Sequence, residues 1–187
     1  SYEFTPAIVG SGFGKYTATV TGSGNFSGTI SATFNIIQNI YKITKGSIVN
    51  GDITISPTES ACDETITLAN TAKTGYKFVS YIVDGTEQTG NTFTMPNKNI
   101  VVGANFTAES YKISYETNGG TFNGTKVESY VYGVGATLST NVTKTGYTFD
   151  GWYTSSNLSG TAVTKVGTTE TGNKTFYAKW TAKSDVS

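Results

Sequence analysis

The 187 residues contain no histidine and no arginine, with one cysteine, one methionine and three prolines. Without histidine the chain has neither the commonest general base nor the usual zinc ligand, and no imidazole-dependent triad can be built. Without arginine there is no bidentate fork for phosphate, and 13 lysines are balanced by 13 acidic residues. No basic surplus remains to hold a nucleic acid. The single cysteine, Cys62, closes no intrachain disulfide, which argues against a small extracellular eukaryotic module. With no imidazole or guanidinium to lower its pKa, it reads as a small loop residue rather than a reactive thiol. No apolar run approaches the ~20 residues that cross a bilayer, and no basic start is followed by an apolar core. The expectation is therefore neither a membrane span nor an export signal within these residues. Charged residues make up only 14%, so solubility has to come from hydroxyl and amide groups.

What is present is sheet-forming material. Threonine occurs 34 times, alongside 22 glycines, 12 tyrosines and 10 phenylalanines. Threonine suits the solvated face of a pleat, aromatic rings fill thin cores, and glycine serves turns and bulges. The patterning agrees. Tyr16, Ala18 and Val20 alternate with threonines, as do Ile30, Ala32, Phe34 and Ile36 with polar residues, which predicts a hairpin joined through Gly22–Gly28. Two or three strands are too few for a stable core of their own. The hairpin is accordingly read as a fragment of a sheet that continues upstream or leans on the next module.

Beyond residue 40 the chain repeats itself. Tyr41-Lys42-Ile43 returns as Tyr111-Lys112-Ile113 and Thr67-Leu68 as Thr137-Leu138, both at an offset of 70. Lys73-Thr74-Gly75-Tyr76-x-Phe78 returns as Lys144-Thr145-Gly146-Tyr147-x-Phe149 at 71. Ala104-x-Phe106-Thr107-Ala108 returns as Ala178-x-Trp180-Thr181-Ala182 at 74. A constant order with a slowly growing offset means two duplicated modules with small insertions in the second, and the period fits a compact domain rather than a solenoid unit. Asp84-Gly85, Pro96–Asn99 and Asn118-Gly119-Gly120 mark turns. Phe149 and Trp152 stand three apart, on opposite faces of a regular strand, so a bulge at Asp150-Gly151 is needed to bring both rings to one side.

Other features have two readings. Trp152, Trp180, Tyr153 and Tyr177 could form an aromatic platform for sugar rings; the tryptophans read better as core, and the tyrosines stay open. Asp52, Asp63, Glu64, Asp84, Glu87 and Asp150 have no calcium-loop spacing and read as solvated turn residues. Asp63-Glu64 is a poor glycosidase pair, because neighbours in a strand face opposite ways and the reaction needs two carboxyls on one cleft. Gly10–Gly14 and Gly22-Ser23-Gly24 lead into no helix and so offer no phosphate loop. A lysine–asparagine crosslink in the opening hairpin stays open, to be decided by intact mass, since the bond forms with loss of ammonia.

The joined motifs Lys144-Thr145-Gly146-Tyr147-Thr148-Phe149-Asp150-Gly151-Trp152-Tyr153 and Phe176-Tyr177-Ala178-Lys179-Trp180, with Asn118-Gly119-Gly120 before them, resemble the Listeria/Bacteroides repeat, the B repeat of internalin-type surface proteins. Residues 41–108 resemble a divergent form, with Ser80-Tyr81 in place of Gly151-Trp152 and Phe106 in place of Trp180. The opening segment resembles the end of a bacterial immunoglobulin-like surface repeat. The resemblance implies a mainly β fold of tandem, small β-grasp-like modules. No segment has helical period where a β-grasp fold places its helix, so an all-β variant is expected, with at most one turn near Ser155–Ser159.

The expected division is 1–38 as a partial sandwich-like segment, 41–108 and 111–182 as repeat modules, and 183–187 as a tail. The expected role is a non-catalytic stalk or spacer of a bacterial cell-surface or secreted protein, without cofactor, metal or catalytic residues. A module of about 70 residues has a radius of gyration near ~11 Å, so three in series would reach on the order of 80 Å. The alternative is an adhesive module that binds a host surface protein or glycan directly. Expected partners are the neighbouring domains of the same protein, with edge-strand self-association as a further route and no nucleic acid.

Overall fold

Threonine alternating with aliphatic and aromatic residues draws more than half of the described residues into strands. The structure is a computed structural model that describes residues 12–184 apart from Ser23 and Phe26, and it contains no helix among them. Strands β1 (Gly14–Thr21) and β2 (Thr29–Ile36) form the expected hairpin. Their register pairs Tyr16 with Phe34, Ala18 with Ala32 and Val20 with Ile30. All the large side chains therefore lie on one face, while Thr19 and Ser31 share a hydroxyl hydrogen bond of 3.0 Å on the other. The apolar face is uncovered: Ile30 is 78% exposed, and Val20, Phe34 and Ile36 are exposed with it. Lys15 and Asn35 stand opposite each other, but both are exposed and neither strand carries a carboxylate, so nothing favours a crosslink there.

The first duplicated unit runs through β3 (Ile40–Lys45), β4 (Gly51–Ser56), β5 (Glu59–Ala61), β6 (Thr65–Ala72), β7 (Tyr76–Val83), β8 (Thr86–Gln88), β9 (Thr92–Thr94) and β10 (Ile100–Ala108). Its main sheet has the order β5-β3-β10-β7-β8, and β4-β6-β9 form a second sheet. The first and last long strands, β3 and β10, are parallel neighbours at the centre, and every other pairing is antiparallel. A parallel pair needs a crossover. Here the crossover carries the small second sheet where a β-grasp fold carries a helix.

The second unit repeats this plan with shortened strands in its second layer: β11 (Ser110–Glu116), β12 (Thr121–Phe122), β13 (Ser129–Val131), β14 (Ala136–Thr137), β15 (Val142–Thr143), β16 (Tyr147–Tyr153), β17 (Lys165–Val166) and β18 (Lys174–Ala182). The main sheet is β13-β11-β18-β16, again with a parallel central pair, β11 and β18. The second layer is broken in two. Pairs β12-β15 and β14-β17 replace β4-β6 and β6-β9, because the chain leaves strand geometry between Leu138 and Asn141. At Ser155–Ser159 there is a single turn closed by Leu158 N–H on the Ser155 carbonyl at 3.0 Å.

Each unit packs its two layers around its own apolar cluster. In the first this is Ile43, Ile53, Ile66, Leu68, Tyr81, Met95, Ile100 and Val102. In the second it is Ile113, Tyr130, Leu138, Val142, Trp152, Val166, Phe176 and Ala178. Burial contributes about 1.5–3 kcal/mol per side chain of this size, so each unit draws its apolar stabilisation from its own cluster.

Candidate functional site

Two features recur in both units: an aromatic plug in each core and a glycine-tyrosine corner at the end of the main sheet.

In the plug, a phenylalanine stands between two larger or equal rings. Phe149 lies 5.1 Å from Trp152 and 5.3 Å from Trp180, between ring centroids. Phe78 lies 4.5 Å from Tyr81 and 5.8 Å from Phe106 in the same arrangement. The spacing of three is resolved as expected, by a bulge: Phe149 pairs with Trp180 and Gly151 with Lys179, so Asp150 has no partner across the ladder. The first unit has the same bulge at Val79, since Phe78 pairs with Phe106 and Ser80 with Asn105. The polar ends of the rings are satisfied. Trp152 Nε1–H donates to the Ser139 carbonyl and Trp180 Nε1–H to the Thr117 carbonyl, both at 2.8 Å, and Asn70 Nδ2–H donates to the Tyr81 hydroxyl at 2.9 Å.

Each plug rests on a glycine. A Cβ at Gly120 would sit 2.3 Å from Trp180 Cζ2, and one at Gly51 would sit 2.4 Å from Phe106 Cζ. No side chain fits in either place. Gly120 belongs to a turn stretch that already accounts for it and Gly51 opens strand β4, so the close approach has no separate local signal.

The corner joins the two units. One residue, Glu109, separates β10 from β11, and its polar groups are all engaged. Its N–H donates to the Gly75 carbonyl at 2.8 Å, and its carbonyl accepts from Tyr132 N–H at 3.0 Å. Its carboxylate accepts the hydroxyl of Tyr111, and that bond, with burial adding to it, pushes the Tyr111 pKa up to about 12. The Tyr132 ring then lies on Gly75, where a Cβ would stand 2.2 Å from the ring, and meets Tyr76 edge-on with centroids 5.4 Å apart. Gly75 adopts φ +79°, in the left-handed region that glycine enters without strain.

Comparison with known proteins falls on these same two units. Residues 111–179 match the Listeria-Bacteroides repeat domain and residues 41–110 the divergent InlB B-repeat domain. The two units are tandem B repeats. No curated protein and no solved structure matches the chain. Repeats of this type are typical of bacterial surface or secreted proteins, and these families are typically non-catalytic.

Against the two repeats, the residues singled out in the sequence sort plainly. The proposed sugar platform is not assembled: Trp152 and Tyr153 are buried, and Tyr153 pairs with Tyr177 on the strand positions that alternate with Trp152 and Ala178. Lys179 Nζ lies 5.1 Å over the Tyr153 ring and occupies that side. The acidic residues are dispersed. Asp52 is paired with Lys45 at 2.7 Å and Asp84 with Lys98 at 2.5 Å, Asp150 accepts the Thr181 hydroxyl, and no group of three or more potential metal ligands occurs among the described residues. The hydrogen bond from Lys45 holds the Asp52 carboxyl below its usual range.

Glu87 is the one acid in a polar network of the divergent repeat. It accepts the hydroxyl of buried Ser80 at 2.7 Å and the Asn105 amide at 2.9 Å, and these two bonds, in that order, lower its pKa. Ser80 stands where the other repeat has Gly151, so this network replaces the glycine of the Gly-Trp motif. Asp63 and Glu64 lie in a turn, not in a strand as the carboxyl-pair argument assumed, and their backbone is tied to Met95 at 2.9 and 2.8 Å. Cys62 is half-buried in a shallow depression with Tyr41, Asp63 and Asn97, and burial pushes its thiol pKa up. Of the glycine loops, Gly10, Ser11 and Ser23 lie outside the described residues, as do Phe26 of the hairpin connection, residues 1–9 of the opening segment and residues 185–187 of the tail.

Proposed function

We propose that residues 41–182 act as a non-catalytic spacer in a bacterial surface or secreted protein, with 41–108 and 111–182 as its two modules and neighbouring domains of the same protein as its partners. The observation that carries this reading is the junction. A spacer must hold its modules at a set angle, and here a one-residue linker has its N–H, carbonyl and carboxylate all bonded while a tyrosine ring is seated on a glycine beside it. A second support is the dispersal of acids among the described residues, where Asp52, Asp84 and Asp150 each hold a separate partner rather than facing one another.

The test is display. A reporter peptide carried on a bacterial cell by this chain should be open to antibody, should stay open when 41–182 is replaced by an unrelated all-β pair of the same length, and should be masked when 41–182 is deleted. Equal antibody access after deletion would remove the spacer role.

A second reading, adhesion to a host protein or glycan, draws on the uncovered apolar face of the β1–β2 hairpin. Saturable binding of the purified chain to immobilised host glycans or surface proteins, abolished by Ile30→Lys together with Phe34→Lys, would favour it over the spacer.

A further inference from the structure

The two repeats close one end of their cores differently, and in the Listeria-Bacteroides repeat that end is hollow. A cavity of about 140 Å³ has the buried Val166 and Phe176 at its base and Thr154, Lys165, Glu170 and Lys174 around it. Strand pairing shows what the divergent repeat puts in the same place. Ile100 pairs with Ile43 where Lys174 pairs with Ile113, and Phe93 pairs with Ile66 where Val166 pairs with Ala136. The Met95 carbonyl accepts from Asp63 N–H at 2.9 Å where the Thr168 carbonyl accepts from Gly133 N–H at 2.7 Å. Val83 faces Val102, and Thr154 comes next after the Tyr153–Tyr177 pair, at the level of Phe176. Met95 and Ile100 are only 0% and 3% exposed, and Phe93 and Val83 pack on the same cluster. Thr168, by contrast, is exposed. Two large aliphatic side chains are missing from the second core, and the cavity marks where they would lie.

The geometry points to a binding site for an acidic peptide segment that inserts one aliphatic or thioether side chain into this cavity. Size supports the insertion, since a cavity of about 150 Å³ accepts a benzene-sized group, close to the bulk of a leucine or methionine side chain. Charge then selects among apolar peptides. Lys174 lines the wall with its stem and gives its ammonium to Glu170 at 2.7 Å. Lys165 is exposed and makes no ion pair among the described residues. The surround thus carries one uncompensated positive charge, which favours a carboxylate beside the inserted side chain. A peptide is chosen over a free carboxylate because the divergent repeat fills the same space with side chains carried on a backbone. The site does not rest on the spacer reading, which assigns no ligand to either repeat.

The probe is the capped tripeptide acetyl-Asp-Met-Asp-amide, titrated into the full chain while the methyl signals of Val163 and Val166, both lining the cavity, are followed by NMR. Both should shift and saturate in the millimolar range, as suits one small inserted group. Acetyl-Asn-Met-Asn-amide should bind several-fold more weakly, and acetyl-Asp-Ser-Asp-amide should leave the two valines unmoved. Lys165→Gln, an exposed change that leaves the core intact, should weaken the acidic probe as much as the asparagine exchange does. Thr168→Met with Lys174→Ile restores the filling of the divergent repeat. That pair should abolish the shifts and raise the melting temperature, with the Trp152 indole N–H reporting that the repeat is folded. Valine shifts that are absent, that follow the serine peptide equally, that ignore Lys165→Gln or that persist in the filled, folded variant overturn the inference. Equal saturation by hexanoate would make a free carboxylate the occupant and overturn the peptide assignment.

Discussion

Gly120 and Trp180 show how little room these cores leave. The indole is pinned by its N–H on the Thr117 carbonyl, so it cannot swing aside for a new methyl group, and the Thr143 carbonyl lies 3.2 Å from the same point. Gly120→Ala is expected to cost about 1–3 kcal/mol, the usual penalty of overpacking. Gly167→Ala in the same repeat meets only the flexible Glu170 side chain at 3.6 Å and should leave the urea midpoint nearly unchanged. The reverse sign is expected at Tyr115. Its ring packs among Phe122, Trp152 and Phe176, and its buried hydroxyl meets no partner at full hydrogen-bond geometry, although Ser139 lies near enough to oppose the upward shift that burial gives its pKa. Removing an unsatisfied buried polar group recovers part of a desolvation cost of about 1–3 kcal/mol, so Tyr115→Phe should raise the melting temperature. A lower melting temperature would mean that the hydroxyl is bonded after all.

The bulge at Asp150 makes a sharper test, because strand register decides which face a ring takes. Deleting Asp150 places Phe149 two positions before Trp152, on one face of a regular strand, and keeps every ladder pair that now surrounds the bulge. The deletion should be tolerated, with both tryptophans still shielded from a fluorescence quencher and only the Thr181 bond and local twist lost. Deleting Lys179 from the opposing strand instead turns Trp180 to the other face and should unfold the repeat. The bulge was legible in sequence because two core rings three residues apart demand an irregularity. The alternating strands and the missing helix were legible for the same local reason. The second layer was not: β6 is one strand while its counterpart is broken into β14 and β15, a difference set by which distant strand each segment meets. Nor was the seat of Tyr132 on Gly75, since nothing near either residue announces the other. The Gly-Tyr pair was visible as part of a repeated motif, but its role emerges only where two repeats meet.

Two separate cores joined by one residue and one ring predict how the molecule comes apart. The contact between repeats is small beside either core, so each repeat should unfold as its own unit. Both tryptophans lie in the Listeria-Bacteroides repeat, so their fluorescence reports that repeat alone, and calorimetry should reveal at least one transition to which fluorescence is blind. Trp152→Ala removes the fully buried ring of the plug at a cost of about 3–5 kcal/mol, enough to unfold a repeat of this size. The Val102 and Met95 methyl signals of the divergent repeat should survive that change. Loss of both sets of signals together would mean that the two repeats fold as one. The junction itself should fail at high pH. Because the Tyr111 pKa is raised from 10 to about 12 in the folded chain, the native state holds a proton that the unfolded state releases between those values. The stability contributed by the Tyr111–Glu109 bond is therefore complete below pH 10 and is lost as pH rises through about 12. A Tyr111→Phe variant lacks the bond at every pH, so its difference in stability from the parent should shrink over that same interval; a difference that stays constant across it would show that Tyr111 does not titrate with the fold.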